Sequence, residues 1–306
     1  MLHTLPPAAA DEGRIAGEFD LSAAAANIAA AIPDAICAGV SGGPREILTA
    51  VERHAPDVVF NLCEAPFGRP RLEPAVAALL EWMRIPFTGA SSRTLSLCLH
   101  KPDANAVLAA HGIAVPRSSP HHGFPCIVKP ASEDGSAGIH HDSVCEDSAT
   151  LSRALSRAGA PVLVQEFLPG REFAVSAWGP QDACFVSIGE TRFLNGLRLI
   201  TYAAKWDLDS PDFANSPLDY DSKIDAPLRT AIEETARRVW RAVDAFGYLR
   251  MDIRLDGDGI PHVLDVNPNP EPGPGVGICR AVQEAGWKWE RFLDCQIEWA
   301  LERGSL

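Results

Sequence analysis

The chain has 306 residues, with 27 Lys plus Arg against 40 Asp plus Glu and a formal net charge of −13. This length predicts two or three folded units rather than one small module. An acidic surplus without any basic run argues against binding to a nucleic-acid backbone. The eight cysteines form no C-x-x-C pair and no apolar run is long enough for a membrane span, so we expect a cytoplasmic protein.

The amino-terminal third predicts an open α/β unit. Residues 21–32 are Ala-rich and predict a helix. An apolar strand at 57–66 is followed by the helical run "LEPAVAALLEWMR" and the short strand "IPFTGAS". Ligands of such sheets gather at the carboxyl ends of the strands, which makes Glu64 a candidate substrate residue. A helix-capping or solvated carboxylate is an equally good interpretation of Glu64.

The next segment combines two lysines with a flexible loop. Lys101 lies on a predicted helix, and Lys129 ends a short strand that leads into a loop with Gly135 and Gly138. An ammonium group beside the amides of a small-residue loop suits a phosphate ligand. The P-loop pattern is not present, and a plain surface turn is the more frequent explanation for such a loop taken alone.

Three elements are expected between this loop and the last third of the chain. Residues 161–179 predict two strands with a Pro-Gly turn, and 198–217 predict a strand that runs into a long polar loop holding Lys205. Loops of that length inside an enzyme are often lids. Residues 225–247 predict an amphipathic helix that ends at Gly247, and a final helix, "WKWERFLDCQIEWALER", closes the chain.

The stretch "RMDIRLDGDGIPHVLDVNPNP", residues 250–270, carries the most informative pattern. Its Asp-Gly-Asp-Gly turn lacks the ligand spacing of a calcium loop and predicts a hairpin. Asp252 on one strand can then share a face with Asp265 and Asn267 on the other. Oxygen ligands without Cys or His suit Mg²⁺ bound together with nucleotide phosphates, and Mn²⁺ is an alternative.

Five segments resemble the ATP-grasp superfamily, and most of all the D-alanine–D-alanine ligases and their relatives. They are "HKPDANAVLAAHGI", "FPCIVKPASEDGSAGI", "VLVQEFLPGREF", "YAAKW" and "GYLRMDIRLDGDGIPHVLDVNPNP". The similarity covers about residues 55–300. It implies an α+β ATP-grasp protein with an N-terminal α/β substrate domain (1–97) and two α+β subdomains that clasp ATP, a central one (98–172) and a C-terminal one with the metal site (173–306).

The resemblance also implies roles for individual residues. Nucleotide contacts would come from both lysines, the glycine loop, the adenine hinge from Gln165 to Leu168 and a ribose-binding carboxylate: Lys101, Lys129, Glu133, Gly135, Ser136, Gln165, Glu166, Leu168 and Glu172. Asp252, Asp265 and Asn267 would bind the metal. Lys205 on a mobile loop and Arg250 beside the reacting carboxylate would be catalytic.

The substrate half departs from that family. The glycine-rich serine motif near the amino terminus and the usual first strand before "LHTLPP" are missing, and Glu64-Ala65 replaces a His-Gly. "NPNPEPGPGVGI" also lacks the Ser that grips the second substrate. Substrate contacts are therefore assigned only as candidates, which are Glu64, Trp206, Asn269 and Gly275.

These departures predict a specialised carboxylate-amine ligase that works through an acyl phosphate and releases ADP and phosphate. Its substrates would be small and amino-acid-like, and a homodimer is expected by analogy. Two alternatives stay open: a ligase that closes a ring within one substrate, and a nucleotide-binding protein that has lost catalysis. Histidines at 111, 121, 122, 140 and 141 match no zinc spacing and are interpreted as loop residues.

Overall fold

A computed structural model describes residues 1–5, 21–41, 43–118, 123–133, 135–158, 161–275 and 277–304. The strands within these ranges are β1 (Leu2–Thr4), β2 (Ala38–Val40), β3 (Asn61–Leu62), β4 (Cys126–Pro130), β5 (Val144–Cys145), β6 (Val162–Glu166), β7 (Glu172–Gly179), β8 (Phe185–Thr191), β9 (Leu218–Asp219), β10 (Gly247–Leu255) and β11 (Pro261–Asn267). The helices are α1 (Ser22–Ala31), α2 (Pro44–His54), α3 (Glu73–Trp82), α4 (Ser92–Leu99), α5 (Lys101–Ala110), α6 (Ser148–Ala158), α7 (Tyr202–Trp206), α8 (Pro211–Ala214), α9 (Ala226–Ala242), α10 (Gly277–Glu284) and α11 (Trp289–Arg303). No helix in these ranges is both long and apolar enough to cross a membrane.

The first sheet is parallel and has the strand order β2-β1-β3. Its strands and the helices α2 and α3 share one apolar core, to which Leu2, Val40, Ile47 and Leu80 belong. The expectation that the first strand is missing was wrong, because β1 is the central strand of this sheet. Three residues are too short a run to show a periodic pattern, although all three are buried.

The second sheet is antiparallel, with the order β5-β4-β6. Helix α6 covers it through Ala154, which packs with Cys126, Val128 and Cys145. Strand β4 ends in Lys129 and Pro130, so the sheet carries the predicted lysine to its edge.

The third sheet has the order β11-β10-β7-β8-β9 and its neighbouring strands are antiparallel. Helix α9 covers one face with Ile232, Ala236 and Val239, which pack against inward residues such as Met251 and Ile253. Since side chains alternate along a strand, Arg250, Asp252 and Arg254 project from the opposite face. The hairpin β10–β11 was correctly predicted.

The two strands expected at 161–179 are present as β6 and β7, and they belong to different sheets. The next local prediction needs correction. The strand expected from residue 198 is absent, and Lys205 lies on the short helix α7 rather than in a loop. Thr201 caps this helix by accepting a hydrogen bond from the Ala204 amide, a local signal of the kind that begins helices.

Helix α9 also ends earlier than predicted, at Ala242 rather than near Gly247. Asp244 then adopts a left-handed conformation, which turns the chain into β10.

Candidate functional site

A cleft with an accessible cavity volume of about 120 Å³, open at its mouth, lies between the second and third sheets. Lys101 and Lys129 line it from one side and Asp265 from the other. The ammonium Nζ of Lys101 donates to the Glu133 carbonyl at 2.7 Å and lies 3.2 Å from Asp265 Oδ1. The two lysines predicted to bind phosphate and one predicted metal ligand therefore form a single charge cluster.

A β-bulge shapes the floor of this cleft. Asp252 pairs with Asp265, but the next pair is Ile253 with Val263, which leaves Leu264 as an extra residue on β11. A bulged residue has no ladder partner, so its carbonyl is available to other donors. The Leu264 carbonyl accepts a hydrogen bond of 3.0 Å from Lys129 Nζ, and this bond joins the two sheets.

Burial and neighbouring charges set the ionisation of the cluster. Burial lowers the pKa of Lys129 from 10.5 to about 8, although the nearby Asp265 carboxylate opposes this shift. Burial alone would raise the pKa of Asp265, but Lys101 and Lys129 outweigh burial and bring the pKa below its usual value. Asp265 is therefore ionised at neutral pH and Lys129 is mostly charged.

Arg250 and Asp252 form a neighbouring ion pair on the cleft face of β10. Asp252 Oδ1 accepts from Arg250 Nη2 at 2.9 Å and from Nε at 3.1 Å. The Asp252 charge raises the pKa of Arg250, and Arg250 pairs across the hairpin with Asn267. Asp252, Asp265 and Asn267 thus share one face as predicted, although Asn267 does not line the cleft itself.

The glycine loop bends through left-handed backbone conformations at Gly135 (φ 66°), Ser136 (φ 60°) and Gly138 (φ 72°). Trp206 Nε1 on α7 donates to the Gly135 carbonyl at 2.8 Å, so helix α7 holds this loop. Lys205 lines the cleft and its charge also lowers the pKa of Asp265. The predicted lid segment and the predicted phosphate loop are therefore in direct contact through Trp206.

The predicted adenine hinge lies at the end of β6. Gln165 is 1% exposed, and its side-chain amide donates to the Pro116 carbonyl at 3.4 Å. The carboxylate of Glu166 binds the Arg117 side chain and accepts from the Arg117 amide at 2.9 Å. These bonds hold both side chains in place, and all four residues from Gln165 to Leu168 line the cleft.

Glu172 begins β7 and is paired with a residue that the sequence reasoning missed. Its Oε2 accepts from Arg254 Nη1 at 3.0 Å, and both side chains are buried. Burial raises the pKa of Glu172 to about 7, and the Arg254 charge opposes that rise. The sequence could have identified Arg254, because side chains two residues apart on a strand share a face and Arg254 follows Arg250 and Asp252 at this spacing.

The four substrate candidates do not line this cleft. Asn269 is buried and joins the N-terminal unit to the third sheet, because its Nδ2 donates to Glu73 Oε1 at 2.7 Å and its Oδ1 accepts from Tyr248 at 3.2 Å. Glu64 is half-buried, and its charge adds to burial in raising the pKa of Tyr248. Gly275 is exposed.

Glu73 and Tyr248 were also missed. Tyr248 could have been found by counting two residues back from Arg250, whereas no local pattern marks Glu73, which lies 196 residues from its partner Asn269.

An open parallel α/β unit followed by two antiparallel sheets that enclose a lysine- and aspartate-lined cleft is the architecture of ATP-grasp proteins. A family model described as D-ala D-ala ligase C-terminus matches residues 113–298, more than half of the chain. The chain therefore belongs to this family and is a D-alanine–D-alanine ligase-like ATP-grasp ligase.

Individual relatives agree with this assignment. The uncharacterized protein y4sG of Sinorhizobium fredii is 27% identical over 283 residues, which is 85% of this chain and 82% of that protein. A D-alanine–D-alanine ligase of Mycobacterium bovis is 28% identical over 283 residues, which is 86% of this chain and 72% of the relative. The solved D-alanine–D-alanine ligase of Bacillus anthracis complexed with ATP has a TM-score of 0.76 at 17% identity and covers 99% of this chain and 97% of its own, which shows the shared fold.

Proposed function

We propose that this protein uses ATP to activate a carboxylate as an acyl phosphate and joins it to an amine, with release of ADP and phosphate. The observation that carries the proposal is the convergence of Lys101, Lys129 and Asp265 in one cleft with Arg250 and Asp252 beside them. Phosphoryl transfer needs positioning and charge stabilisation more than covalent chemistry, and this cluster supplies both.

The chemical steps balance with two substrates and ATP. A carboxylate oxygen attacks the terminal phosphorus of ATP, and ADP leaves. The amine nitrogen then attacks the acyl carbon, the new C–N bond forms, the C–O bond to phosphate breaks and the amine proton passes to solvent. Arg250 stabilises the negative charge that develops on the acyl oxygen, and Lys205 on α7 neutralises the terminal phosphate.

The oxygen atoms in the cleft fit Mg²⁺, with Mn²⁺ as an alternative. Asp252, Asp265 and Asn267 offer hard oxygen donors from one face of the hairpin, and the lowered pKa of Asp265 keeps it ionised. Each carboxylate binds its internal cation through Oδ1, so Oδ2 is the atom to offer to a metal. A bound metal would supply positive charge to the phosphates.

The nucleotide would lie with its base against the hinge from Gln165 to Leu168 and its ribose near Glu172, while its phosphates would contact Lys101, Lys129 and the amides from Glu133 to Gly138. This placement is supported by the lining of the cleft, which includes both lysines, the four hinge residues, Glu172 and the loop residues Glu133, Gly135, Ser136 and Ala137. The division at 1–97, 98–172 and 173–306 is supported by the three sheets, since each falls within one range except that β7 begins one residue earlier.

The substrates are proposed to be small and amino-acid-like but different from the two alanines of cell-wall synthesis. The support is the altered region around Glu64, where Glu73, Asn269 and Tyr248 form a linked set of polar side chains. A cytoplasmic location and a homodimer are part of the same proposal. Activity in specialised metabolism follows from the missing substrate motifs.

A hydroxylamine-trapping assay tests this function directly. The protein is incubated with Mg²⁺-ATP, hydroxylamine and one carboxylate at a time from a panel of amino acids, and hydroxamate and phosphate are measured. At least one carboxylate should give hydroxamate in step with phosphate, and a folded Asp252→Asn variant should give neither. Phosphate release without any hydroxamate, at equal rates in both proteins, would refute the acyl-phosphate route.

Product mass then separates the two modes of ligation. An intermolecular ligase gives a product that contains both substrates, whereas a cyclising ligase gives a product that weighs one water less than its single substrate.

A further inference from the structure

Arg254 is a buried cation beside Glu172 in the lining of the cleft, and both hydrogen bonds and aromatic rings hold its guanidinium. Nη1 donates to Glu172 Oε2 at 3.0 Å and to the Arg198 carbonyl at 2.8 Å, and Nε donates to the Gly170 carbonyl at 3.2 Å. The guanidinium also stacks on the rings of Phe167 at 4.6 Å and Phe193 at 5.2 Å.

These partners come from separate parts of the chain. Gly170 and Phe167 belong to the turn between the second and third sheets, whereas Phe193 and Arg198 belong to the segment that follows β8. Gly170 must be glycine for this approach, since a Cβ there would lie 2.5 Å from the Leu255 carbonyl oxygen. The turn and the segment therefore fix the plane of the guanidinium before any ligand binds.

The fixed guanidinium in turn fixes Glu172. The two residues are directly paired across β7 and β10, and their side chains are 9% and 7% exposed for Glu172 and Arg254. The bond to Arg254 uses Oε2, while Glu172 also lines the cleft, so Oε1 is the atom that can accept hydrogen bonds from a ligand.

We propose that Arg254 is a positioning residue that aims the Glu172 carboxylate at the ribose hydroxyls of the bound nucleotide. The proposal rests on the ribose role of Glu172 proposed above. A carboxylate that is ionised accepts from both hydroxyls of a ribose, whereas a protonated carboxyl must donate from one oxygen. Arg254 thereby sets how strictly the site recognises a ribonucleotide.

The pKa of Glu172 gives this arrangement a measurable signature. Burial raises that pKa to about 7 even with Arg254 present. Removal of the Arg254 charge leaves burial and the Asp252 charge opposed only by the smaller effect of Arg250, so the pKa of Glu172 rises further, its protonated fraction at neutral pH increases, and it ionises only in more alkaline solution. Nucleotide affinity should then recover as pH rises.

Calorimetric binding of Mg²⁺-ADP tests the proposal without any knowledge of the carboxylate substrate. Glu172→Gln and Arg254→Met should each weaken binding at pH 7 by about 10-fold or more, as expected for loss of a hydrogen bond to a charged group. From pH 6.5 to 9 the affinity of Arg254→Met should recover at least threefold, while that of Glu172→Gln should stay flat. Arg254→Lys should retain part of the affinity.

Ribose analogues sharpen the test. The unmodified protein should bind Mg²⁺-2′-deoxy-ADP or Mg²⁺-3′-deoxy-ADP more weakly than Mg²⁺-ADP by about 10-fold, and both variants should lose most of that preference. A merely structural role for Arg254 would change the affinity for all three nucleotides by the same factor.

Arg198→Met is the matched control. The Arg198 guanidinium also stacks on Phe167, at 4.7 Å, and pairs with Glu146, but its side chain has no described bond to Glu172. The affinity of this variant for Mg²⁺-ADP should depend on pH, and on the ribose hydroxyls, as it does in the unmodified protein. Equal behaviour of Arg198→Met and Arg254→Met would overturn the proposal, as would an Arg254→Met protein with an unchanged pH profile and ribose preference.

The outcomes also separate this inference from the proposed function. If the unmodified protein binds no adenine nucleotide, the proposed function fails and this inference falls with it. If Glu172→Gln loses ribose preference but Arg254→Met keeps it, the nucleotide site stands and only the role of Arg254 is refuted.

Discussion

Lys129→Met should change how the stability of the protein depends on pH. The Lys129 side chain is 6% exposed and its pKa falls from 10.5 to about 8, chiefly through burial. At about 1.36 kcal/mol per pKa unit, this shift corresponds to a folding penalty of about 3 kcal/mol at pH values below 8.

The direction in which stability changes with pH follows from how many protons the folded and unfolded chains bind. Because the folded pKa is lower than the unfolded one, the unfolded chain binds more protons between about pH 7 and 10.5, and stability rises with pH through this window. Between pH 6.5 and 9 the lysine should contribute an increase of about 1.4 kcal/mol in the free energy of unfolding. Methionine does not titrate, so the variant should lack this increase.

The assay is urea unfolding followed by circular dichroism at both pH values. Loss of the bond to Leu264 and of the attraction to Asp265 lowers stability by an amount that hardly changes with pH in this range, because Asp265 stays ionised. The free energy of unfolding of the variant, relative to that of the unmodified protein, should therefore be about 1.4 kcal/mol higher at pH 6.5 than at pH 9. Lys223→Met, at an exposed lysine, is the control and should show no such shift. A pH dependence that Lys129→Met leaves intact would refute a buried, charged Lys129.

Three further predictions concern turnover and motion. Asp265→Ala should abolish turnover and the dependence on Mg²⁺, since it removes a carboxylate from a site of few protein ligands, and unchanged kinetics in a folded variant would exclude the metal role. Arg250→Lys should keep the KM for ATP and lose most of kcat, because a lysine lacks the planar fork; a raised KM with an intact kcat would make Arg250 a ground-state contact. Residues 200–217 should exchange amide hydrogens more slowly with Mg²⁺-ATP and an acyl-phosphate mimic than without them, and equal exchange in both states would argue against a lid.

Regular, local features were predictable from the sequence. The Asp-Gly turn predicts the hairpin, and two-residue alternation along β10 puts Arg250 and Asp252 on one face, but Asp252 lies opposite Asp265 because the bulge at Leu264 shifts the register by one residue. The same alternation reaches Tyr248 and Arg254, which a fuller use of the period would have identified. Lys101 was correctly expected on a helix, and α5 begins at Lys101 with a proline in its first turn, which is a common position for proline in helices.

Features that depend on distant partners were not predictable. Whether β6 and β7 pair with each other is decided by the neighbours available to each strand, since β6 joins β4 and β7 joins β8 and β10. The link between Asn269 and Glu73 also joins residues from opposite ends of the chain. Helix α7 is only five residues long, and its stability comes from contacts such as Trp206 with Gly135 rather than from propensity.

The charged side chains of the cleft form ion pairs, and a bound nucleotide and metal could replace the partners within these pairs. Lys101 lies against Asp265 and Arg250 against Asp252, so each of the two proposed metal-binding carboxylates already has an internal cation. If Lys101 binds the phosphates while Asp265 binds a metal, an anion and a cation enter the buried cluster together and their charges offset each other in part. Burying either charge alone would be far more costly, because an unpaired ion loses its hydration without compensation. Under the proposed function, a cleft built this way favours the metal–nucleotide complex over either component, and a protein of formal net charge −13 can thereby hold a triphosphate.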